Sequence, residues 1–193
     1  ALVLDLRDNP GGLLSSAIEV SDTFLNQGKI VSTRDRNNRG REWNAKEDGT
    51  LFRGKPLAVL INKNSASASE IVAAALQDNE RAVLVGERTF GKGSVQKIIK
   101  LNSDPPTALK LTTDTYWRPS GVNIHRYEDA KDTDDWGVKP SKGFELVLKD
   151  EERLEYLKFR RARDLVKGKV IPNKEDKKDP EEKPFKDRTL DMA

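Results

Sequence analysis

The hydrophobic pattern of the amino-terminal half predicts short buried strands that alternate with helices. The short β-rich run at 1–6 and the apolar runs at 56–62 and 82–85 are typical of buried strands. Between them, residues 13–25 place apolar side chains at helical spacing, and residues 70–77 are rich in alanine. Because the strand–helix–strand order occurs twice, the pattern predicts an α/β fold with a mostly parallel central sheet flanked by helices.

More polar stretches predict four further strands in the same α/β body. Residues 29–34 and 41–45 favour an exposed hairpin, because the turn-forming residues 37–40 lie between them. Residues 94–101 and 108–116 favour two more strands, separated by a segment that contains two prolines.

The carboxyl-terminal part has a different composition. Residues 151–167 have helical spacing but are strongly charged, and the stretch after Pro172 is rich in Lys, Glu, Asp and Pro, which is typical of disorder. The sequence therefore predicts three parts: a core domain at 1–148, a charged helix at 149–171 and a disordered tail at 172–193.

Composition and charge exclude several classes of function. The chain has 193 residues and a net charge of +3 with both signs mixed along it, which argues against nucleic acid as a partner. It has no cysteine and only one histidine, so disulfides, thiolate chemistry and a His-rich metal site are excluded, and we expect no cofactor. No apolar run approaches the ~18 residues that span a bilayer. The chain starts without Met or a signal peptide, so we expect a fragment of a longer protein.

A serine lies between a buried strand and a helix. Ser67, the middle serine of Ser65–Ser69, has two interpretations. With Glu70 it fits a capping box, in which the serine only caps the helix. Alternatively, a strand-to-helix turn exposes its hydroxyl beside free helix N–H groups, which would stabilise a developing oxyanion. The residues alone leave both interpretations open.

A nucleophilic serine needs a base, and the sequence offers two candidates. The single histidine, His125, lies in a polar stretch and is better explained as a surface or packing residue. Lys92, between Gly91 and Gly93, could replace a histidine if burial favoured its neutral form. The alternative interpretation is a solvated loop lysine.

The loop that contains Lys92 also matches part of a phosphate-binding loop. Residues 86–92 fit its first seven positions after a strand. However, Gly93 stands where a Ser or Thr should hold magnesium, and a strand pattern follows instead of a helix. A nucleotide-binding enzyme is therefore the weaker alternative.

Three ordered motifs resemble the carboxyl-terminal processing, or tail-specific, proteases. They are Leu4-Asp-Leu-Arg-Asp-Asn-Pro-Gly-Gly12, Asn64-Ser-Ala-Ser-Ala-Ser-Glu-Ile71 and Gly86-x-x-Thr-Phe-Gly-Lys-Gly-Ser-Val-Gln96. Arg118–Gly121 and Gly137–Pro140 are also similar, although Ser141 stands where the family usually has Asp. This resemblance covers residues 1–148 and implies a serine endopeptidase with a Ser–Lys dyad on a crotonase-like core.

The resemblance implies a role for each matching residue. Ser67 would be the nucleophile, Lys92 the base and Gln96 the residue that orients the lysine. An even spacing on a strand would let Lys92 and Gln96 face the same side. The oxyanion hole is expected from the backbone N–H groups of Gly11 or Gly12 and of Ala68. The residues expected to support the site without reacting are Glu70, Asp78 and Thr89.

The resemblance also implies parts that the chain lacks. Family members carry an amino-terminal segment and a PDZ domain, and they act on proteins or peptides with accessible C-termini. Membrane contact is expected only through those missing parts, and the expected location is extracytoplasmic, in the bacterial periplasm or cell envelope. The resemblance leaves open whether the chain forms a homo-oligomer. The rival hypothesis is a non-catalytic scaffold or peptide-binding module of the same fold.

Overall fold

The computed structural model describes residues 1–47, 51–102, 105–164 and 185–193. Seven strands and four helices lie within these ranges. In chain order they are β1 (Leu2–Asp5), α1 (Leu14–Phe24), β2 (Lys29–Asp35), β3 (Gly40–Asn44), β4 (Leu57–Ile61), α2 (Ala68–Asp78), β5 (Val83–Gly86), β6 (Ser94–Leu101), β7 (Thr107–Trp117), α3 (Asp150–Asp164) and α4 (Arg188–Met192). None of these four helices is long and apolar enough to cross a membrane.

Three strands form a parallel sheet in the order β1-β4-β5. Every residue of the central strand β4 is buried, which explains its continuous apolar run. Because parallel strands end at the same edge of a sheet, the segments that follow β1 and β4 lie side by side there. The predicted α/β class, with a parallel sheet and helices, is confirmed.

The prediction of a mostly parallel sheet is wrong for the other four strands. They form a separate antiparallel sheet in the order β3-β2-β7-β6. The expected hairpin is the β2–β3 pair, but it is not exposed throughout, because residues 30–33 of β2 are buried. The strand β6 pairs with β7 along its whole length. The physical reason is the length of the connections. A parallel pair needs a crossover of a dozen or more residues, and the segments within these two hairpins are too short for one.

The helix α2 is the most deeply buried element. All residues from Ala68 to Leu76 are buried, and the helix contacts β5 of the parallel sheet and β2 of the antiparallel sheet. The three consecutive alanines Ala73–Ala75 have no exposed surface. Their small side chains let the helix lie between the two sheets, which explains the high alanine content of this segment.

The carboxyl-terminal part is more ordered than its composition predicts. The charged helix α3 buries Tyr156, and the expected continuation of that helix after Asp164 lies outside the described residues. The expectation of disorder from residue 172 is wrong for residues 185–193, which contain α4; residues 172–184 lie outside the described residues. The cause is a contact that composition cannot show: the carboxylate of Asp187 accepts two hydrogen bonds from buried Arg7, each 2.8 Å long.

An ion pair joins the end of α2 to the turn that follows β7. The guanidinium of Arg118 donates to both carboxylate oxygens of Asp78, and the backbone N–H of Ser120 donates to Asp78 Oδ2 at 2.9 Å. Burial works against ionisation, but the hydrogen bonds and positive charge of Arg118 outweigh it and hold the pKa of Asp78 below its usual range. The motif Arg118–Gly121 therefore has a structural explanation.

The Asp78→Asn substitution should lower the free energy of unfolding by about 3 kcal/mol at pH 7, because it leaves Arg118 without its charged partner in a mostly buried site. Since folding depresses the pKa of Asp78, its stabilising effect is present above about pH 4 and is lost as the pH falls through its folded-state pKa. Urea unfolding of both proteins at pH 7 and pH 3 measures this. The difference should shrink at pH 3, and an equal difference at both pH values would contradict the ion-pair explanation.

Candidate active site

Ser67 directly precedes α2 and has a strained backbone. Its φ of 57° and ψ of −117° lie outside the regions that a residue with a side chain readily adopts. The predicted capping box with Glu70 is present, and the Ser67 N–H donates to Glu70 Oε2 at 2.8 Å. The capping role does not explain the strain, since an N-cap residue normally has extended backbone angles. A strained serine at a strand-to-helix turn is instead the geometry of a nucleophile elbow.

The segment after β1 packs closely against Ser67. The Asn9 carbonyl accepts hydrogen bonds from the Ala66 N–H at 3.0 Å and from the Ser69 hydroxyl at 3.1 Å. Gly11 has a φ of +100°, and a Cβ placed there would lie 2.8 Å from Ser67 Cβ. Only glycine fits at this approach, which explains the Pro-Gly-Gly turn physically.

The two expected sources of the oxyanion hole differ in their hydrogen bonds. The Gly11 N–H donates to Asn9 Oδ1 at 3.0 Å, so it already has an acceptor. Within the described part of the chain, the N–H groups of Gly12 and Ala68 have no acceptor. Of the two glycines that the sequence left open, Gly12 is therefore the one with an available donor.

A single buried carboxylate joins the Ser67 turn to the Lys92 loop. Glu70 has no exposed surface. Its Oε2 accepts the N–H groups of Ser67 and Lys92, both at 2.8 Å, and its Oε1 accepts the Thr89 hydroxyl at 2.5 Å and the Gly91 N–H at 2.7 Å. Burial raises the pKa of Glu70 above its usual range, although these four donors oppose the shift.

Thr89 extends this hydrogen-bonded group to the motif Gly137–Pro140. The Thr89 hydroxyl donates to Glu70 and accepts the Val138 N–H at 2.8 Å. Gly137 has a φ of +55°, and a Cβ there would lie 2.9 Å from Thr89 Oγ1. The next residue after the motif, Ser141, accepts the Leu84 N–H at 3.0 Å and so fastens the motif to β5. Glu70 and Thr89 therefore belong to one hydrogen-bonded group with the backbone of Ser67 and Lys92. Asp78 lies at the far end of α2, about 15 Å along the helix from Ala68.

The side chains of Lys92 and Gln96 are less constrained than expected. Both are exposed, and Lys92 Nζ makes no hydrogen bond or ion pair within the described part of the chain. The expected burial of Lys92 is therefore absent in this structure. The even-spacing argument for Gln96 does not apply, because Lys92 precedes β6, which begins at Ser94.

His125 lies beside Lys92, which the sequence did not predict. Both residues line an open pocket of about 570 Å³, together with Phe90 and Tyr127. The His125 ring packs edge-on against Tyr127 at 4.9 Å, and its buried Nδ1 has no hydrogen-bond partner in the described part of the chain. The sequence feature that allows His125 to lie so close to this loop is Gly93, since a Cβ there would lie 2.3 Å from the His125 backbone nitrogen.

Sequence reasoning also missed a polar cluster that holds the turn after β1. The Asp8 carboxylate accepts hydrogen bonds from the side-chain amides of Asn62 and Asn64, at 2.9 and 2.8 Å, and the Asp8 N–H donates to Asn62 Oδ1 at 3.0 Å. The available signal was position: polar residues that directly follow buried parallel strands meet at one edge of the sheet.

The phosphate-loop alternative is wrong for residues 86–92. The N–H groups of Gly91 and Lys92, which would have to face a phosphate, donate to the Glu70 carboxylate instead. The strand β6 follows this loop where a phosphate-binding loop requires a helix. Among the residues that the structure describes, there is also no group of three or more side chains that could hold a metal ion.

An α/β core with a serine at a strained strand-to-helix turn is typical of serine hydrolases. A family model described as peptidase family S41 matches residues 1–140, so the chain belongs to this family of serine peptidases. The resemblance to the carboxyl-terminal processing proteases is thereby confirmed.

Curated relatives carry names of the same kind. The chain is 47% identical over 180 residues to the carboxy-terminal-processing protease of Bartonella bacilliformis, covering 92% of this chain and 41% of the relative. It is 52% identical over 124 residues to the carboxyl-terminal-processing protease of a Picosynechococcus strain, covering 64% of this chain and 29% of the relative. The chain thus spans less than half the length of these relatives.

A solved structure has the same fold. The photosystem II D1 C-terminal processing protease superposes with a TM-score of 0.65 at 34% identity, covering 75% of this chain and 34% of that one. The likeness therefore extends to the mixed α/β architecture with its parallel sheet and helices.

The Thr89→Val substitution should lower the free energy of unfolding by about 2 kcal/mol, because it leaves the buried Val138 N–H without an acceptor and Glu70 with one donor fewer. Urea unfolding measures the change. Thr133→Val, at an exposed loop position, is the matched control and should change stability by less than about 0.5 kcal/mol. Equal effects of the two substitutions would show that Thr89 does not support the site.

Proposed function

We propose that this chain is the catalytic domain of a serine endopeptidase that cleaves proteins near their C-termini through a Ser67–Lys92 dyad. The observation that carries the proposal is the shared carboxylate of Glu70, which binds the backbone N–H groups of both residues. A carboxylate that only capped α2 would have no need to bind the Lys92 loop. The strained backbone of Ser67 supports the same assignment.

The proposed reaction follows from these positions. Ser67 Oγ attacks the scissile carbonyl carbon while its proton passes to Nζ of neutral Lys92. The N–H groups of Gly12 and Ala68 stabilise the oxyanion. Lys92 then returns the proton to the leaving amine. In the second step Lys92 takes a proton from a water molecule that attacks the acyl carbon, and it returns this proton to Ser67 Oγ as the bond between Oγ and the acyl carbon breaks.

Lys92 acts as a base only in its neutral form, and water around an exposed ammonium favours the charged form. A substrate strand that lies across exposed Phe90 and Lys92 would exclude this water. We therefore infer that the substrate itself completes the base, with Gln96 orienting the amine without adding a charge. This role also fits the open pocket beside Lys92.

Several finer features of the proposal rest on family resemblance alone. They are the crotonase-like classification of the core, substrate selection through a PDZ domain outside this chain, and an extracytoplasmic location in the periplasm or cell envelope. The exposed, unpaired Lys92 side chain is the one observation that favours the rival hypothesis of a non-catalytic scaffold. Cleavage assays of the variants below decide between the two.

Ser67→Ala should reduce cleavage of an unfolded protein such as casein by about 10⁶-fold, as in other serine proteases that lose the nucleophile. Stability should fall by only about 1 kcal/mol, the usual value for a lost N-cap. Gel-based cleavage and urea unfolding of the full-length protein measure the two effects. Ser16→Ala, at an exposed position of α1, is the matched control. Full activity in Ser67→Ala would rule out Ser67 as the nucleophile.

Lys92→Arg should be inactive although it retains the positive charge, because arginine does not deprotonate in proteins. Lys97→Arg, on the exposed part of β6, is the matched control and should be fully active. His125→Ala should keep both its rate and its pH dependence. Steady-state kinetics with casein measures all three. Activity in Lys92→Arg together with its loss in His125→Ala would move the base to the histidine.

A further inference from the structure

Arg7 connects the catalytic turn to the carboxyl-terminal helix. It directly precedes the residues that lead to Gly12, and only 4% of its surface is exposed. Its guanidinium donates to both carboxylate oxygens of Asp5, at 3.0 and 2.9 Å, and to both of Asp187, at 2.8 Å each. The Tyr156 ring lies 4.5 Å from the guanidinium carbon. The cation is therefore enclosed by two carboxylates and an aromatic ring.

The two carboxylates are not equivalent partners of Arg7. Asp5 Oδ2 also accepts a hydrogen bond from Arg160 at 2.9 Å, so its charge is shared between two arginines. Asp187 binds Arg7 in a bidentate geometry, and only 12% of its side chain is exposed. Because a buried cation that loses a partner is strongly destabilised, the position of Arg7 depends on Asp187.

The turn after Arg7 is strained and is held from two sides. Asp8 has a φ of 58°, in the left-handed region, and its N–H is bound by the Asn62 side chain. On the opposite side, the bonds between Arg7 and Asp187 hold the end of β1. A strained turn persists only when its surroundings fix it, so release of either side would let residues 8–12 relax.

We propose that α4 is a positioning element of the active site, in which Asp187, acting through Arg7, holds residues 8–12 so that the Gly12 N–H faces the reacting carbonyl oxygen. The inference rests on the proposed function of this turn as part of the oxyanion hole. It assigns a catalytic purpose to a segment that lies outside the residues matched by the family model. Asp187 is a positioning residue, since it contacts neither Ser67 nor the reacting atoms.

Asp187→Asn in the full-length protein tests the proposal, because the amide keeps the shape of the side chain but removes its charge and one acceptor. With casein as substrate, kcat should fall about 10- to 100-fold while KM stays within twofold, since the lost interaction acts on the transition state. Asp187→Glu restores the charge and should recover most of kcat. Asp191→Asn, at an α4 position that forms an exposed pair with Lys186, should match the unchanged protein.

Hydrogen exchange gives a second readout that needs no substrate. The N–H groups of Asp8, Asn9 and Gly11 have acceptors and should exchange at least tenfold faster in Asp187→Asn, with no such change in Asp191→Asn. If Asp187→Asn does not fold, Arg7→Lys takes its place, because lysine keeps the charge but cannot bind both carboxylates in a fork geometry.

A folded variant with unchanged kcat, or with unchanged exchange at residues 8–12, would overturn the positioning role and leave α4 a stabilising segment only. A change in KM instead of kcat would overturn it equally. The failure of the proposed function looks different: Ser67→Ala would then retain full activity. An inactive Ser67→Ala variant beside a fully active Asp187→Asn variant would refute the positioning role alone.

Discussion

The Glu70 carboxylate is the interaction on which the candidate site depends. Glu70 lies in the first turn of α2. Its carboxylate accepts hydrogen bonds from the Ser67 N–H and from the N–H groups of Gly91 and Lys92. Each of these backbone donors is at a place where the chain turns sharply, and no regular strand or helix could satisfy it. The carboxylate therefore supplies the hydrogen-bond acceptor that secondary structure does not supply to the Ser67 turn and the Lys92 loop.

The same arrangement explains why the site combines rigid and open parts. Backbone groups around Ser67 and Lys92 are fixed by buried hydrogen bonds, while the Lys92 side chain extends into an open pocket. Such a division suits the proposed peptidase function. Under that proposal, the backbone fixes the reacting groups before the substrate binds, and the bound substrate excludes water from Lys92.

Local pattern predicted the elements well and their assembly less well. Apolar runs and turn residues predicted the positions of the seven strands and of α1 and α2, because these depend on neighbours in sequence, but they missed α4. The second sheet was missed because buried and hairpin strands were assigned to one sheet, although short connections require antiparallel pairing. The resemblance selected Ser67, Glu70 and Thr89, which share hydrogen bonds in the structure, and their roles stay predictions. It did not predict the proximity of His125 to Lys92 or the contact of Asp187 with Arg7, which joins opposite ends of the chain. The apolar residues near Lys92 do not bury its side chain, because Phe90 is itself exposed.

The small alanine side chains of α2 set the distance between the two sheets that the helix contacts. Ala73–Ala75 belong to a helix that contacts both sheets. The parallel sheet contains β4, which precedes Ser67, and the antiparallel sheet contains β6, which follows Lys92. The helix therefore acts as a spacer between the sheet that precedes Ser67 and the sheet that follows Lys92, the two residues of the proposed dyad. A larger side chain in this spacer would alter the gap without touching any polar group of the site. Residues that no chemical argument would select can thus tune the reaction through their volume alone.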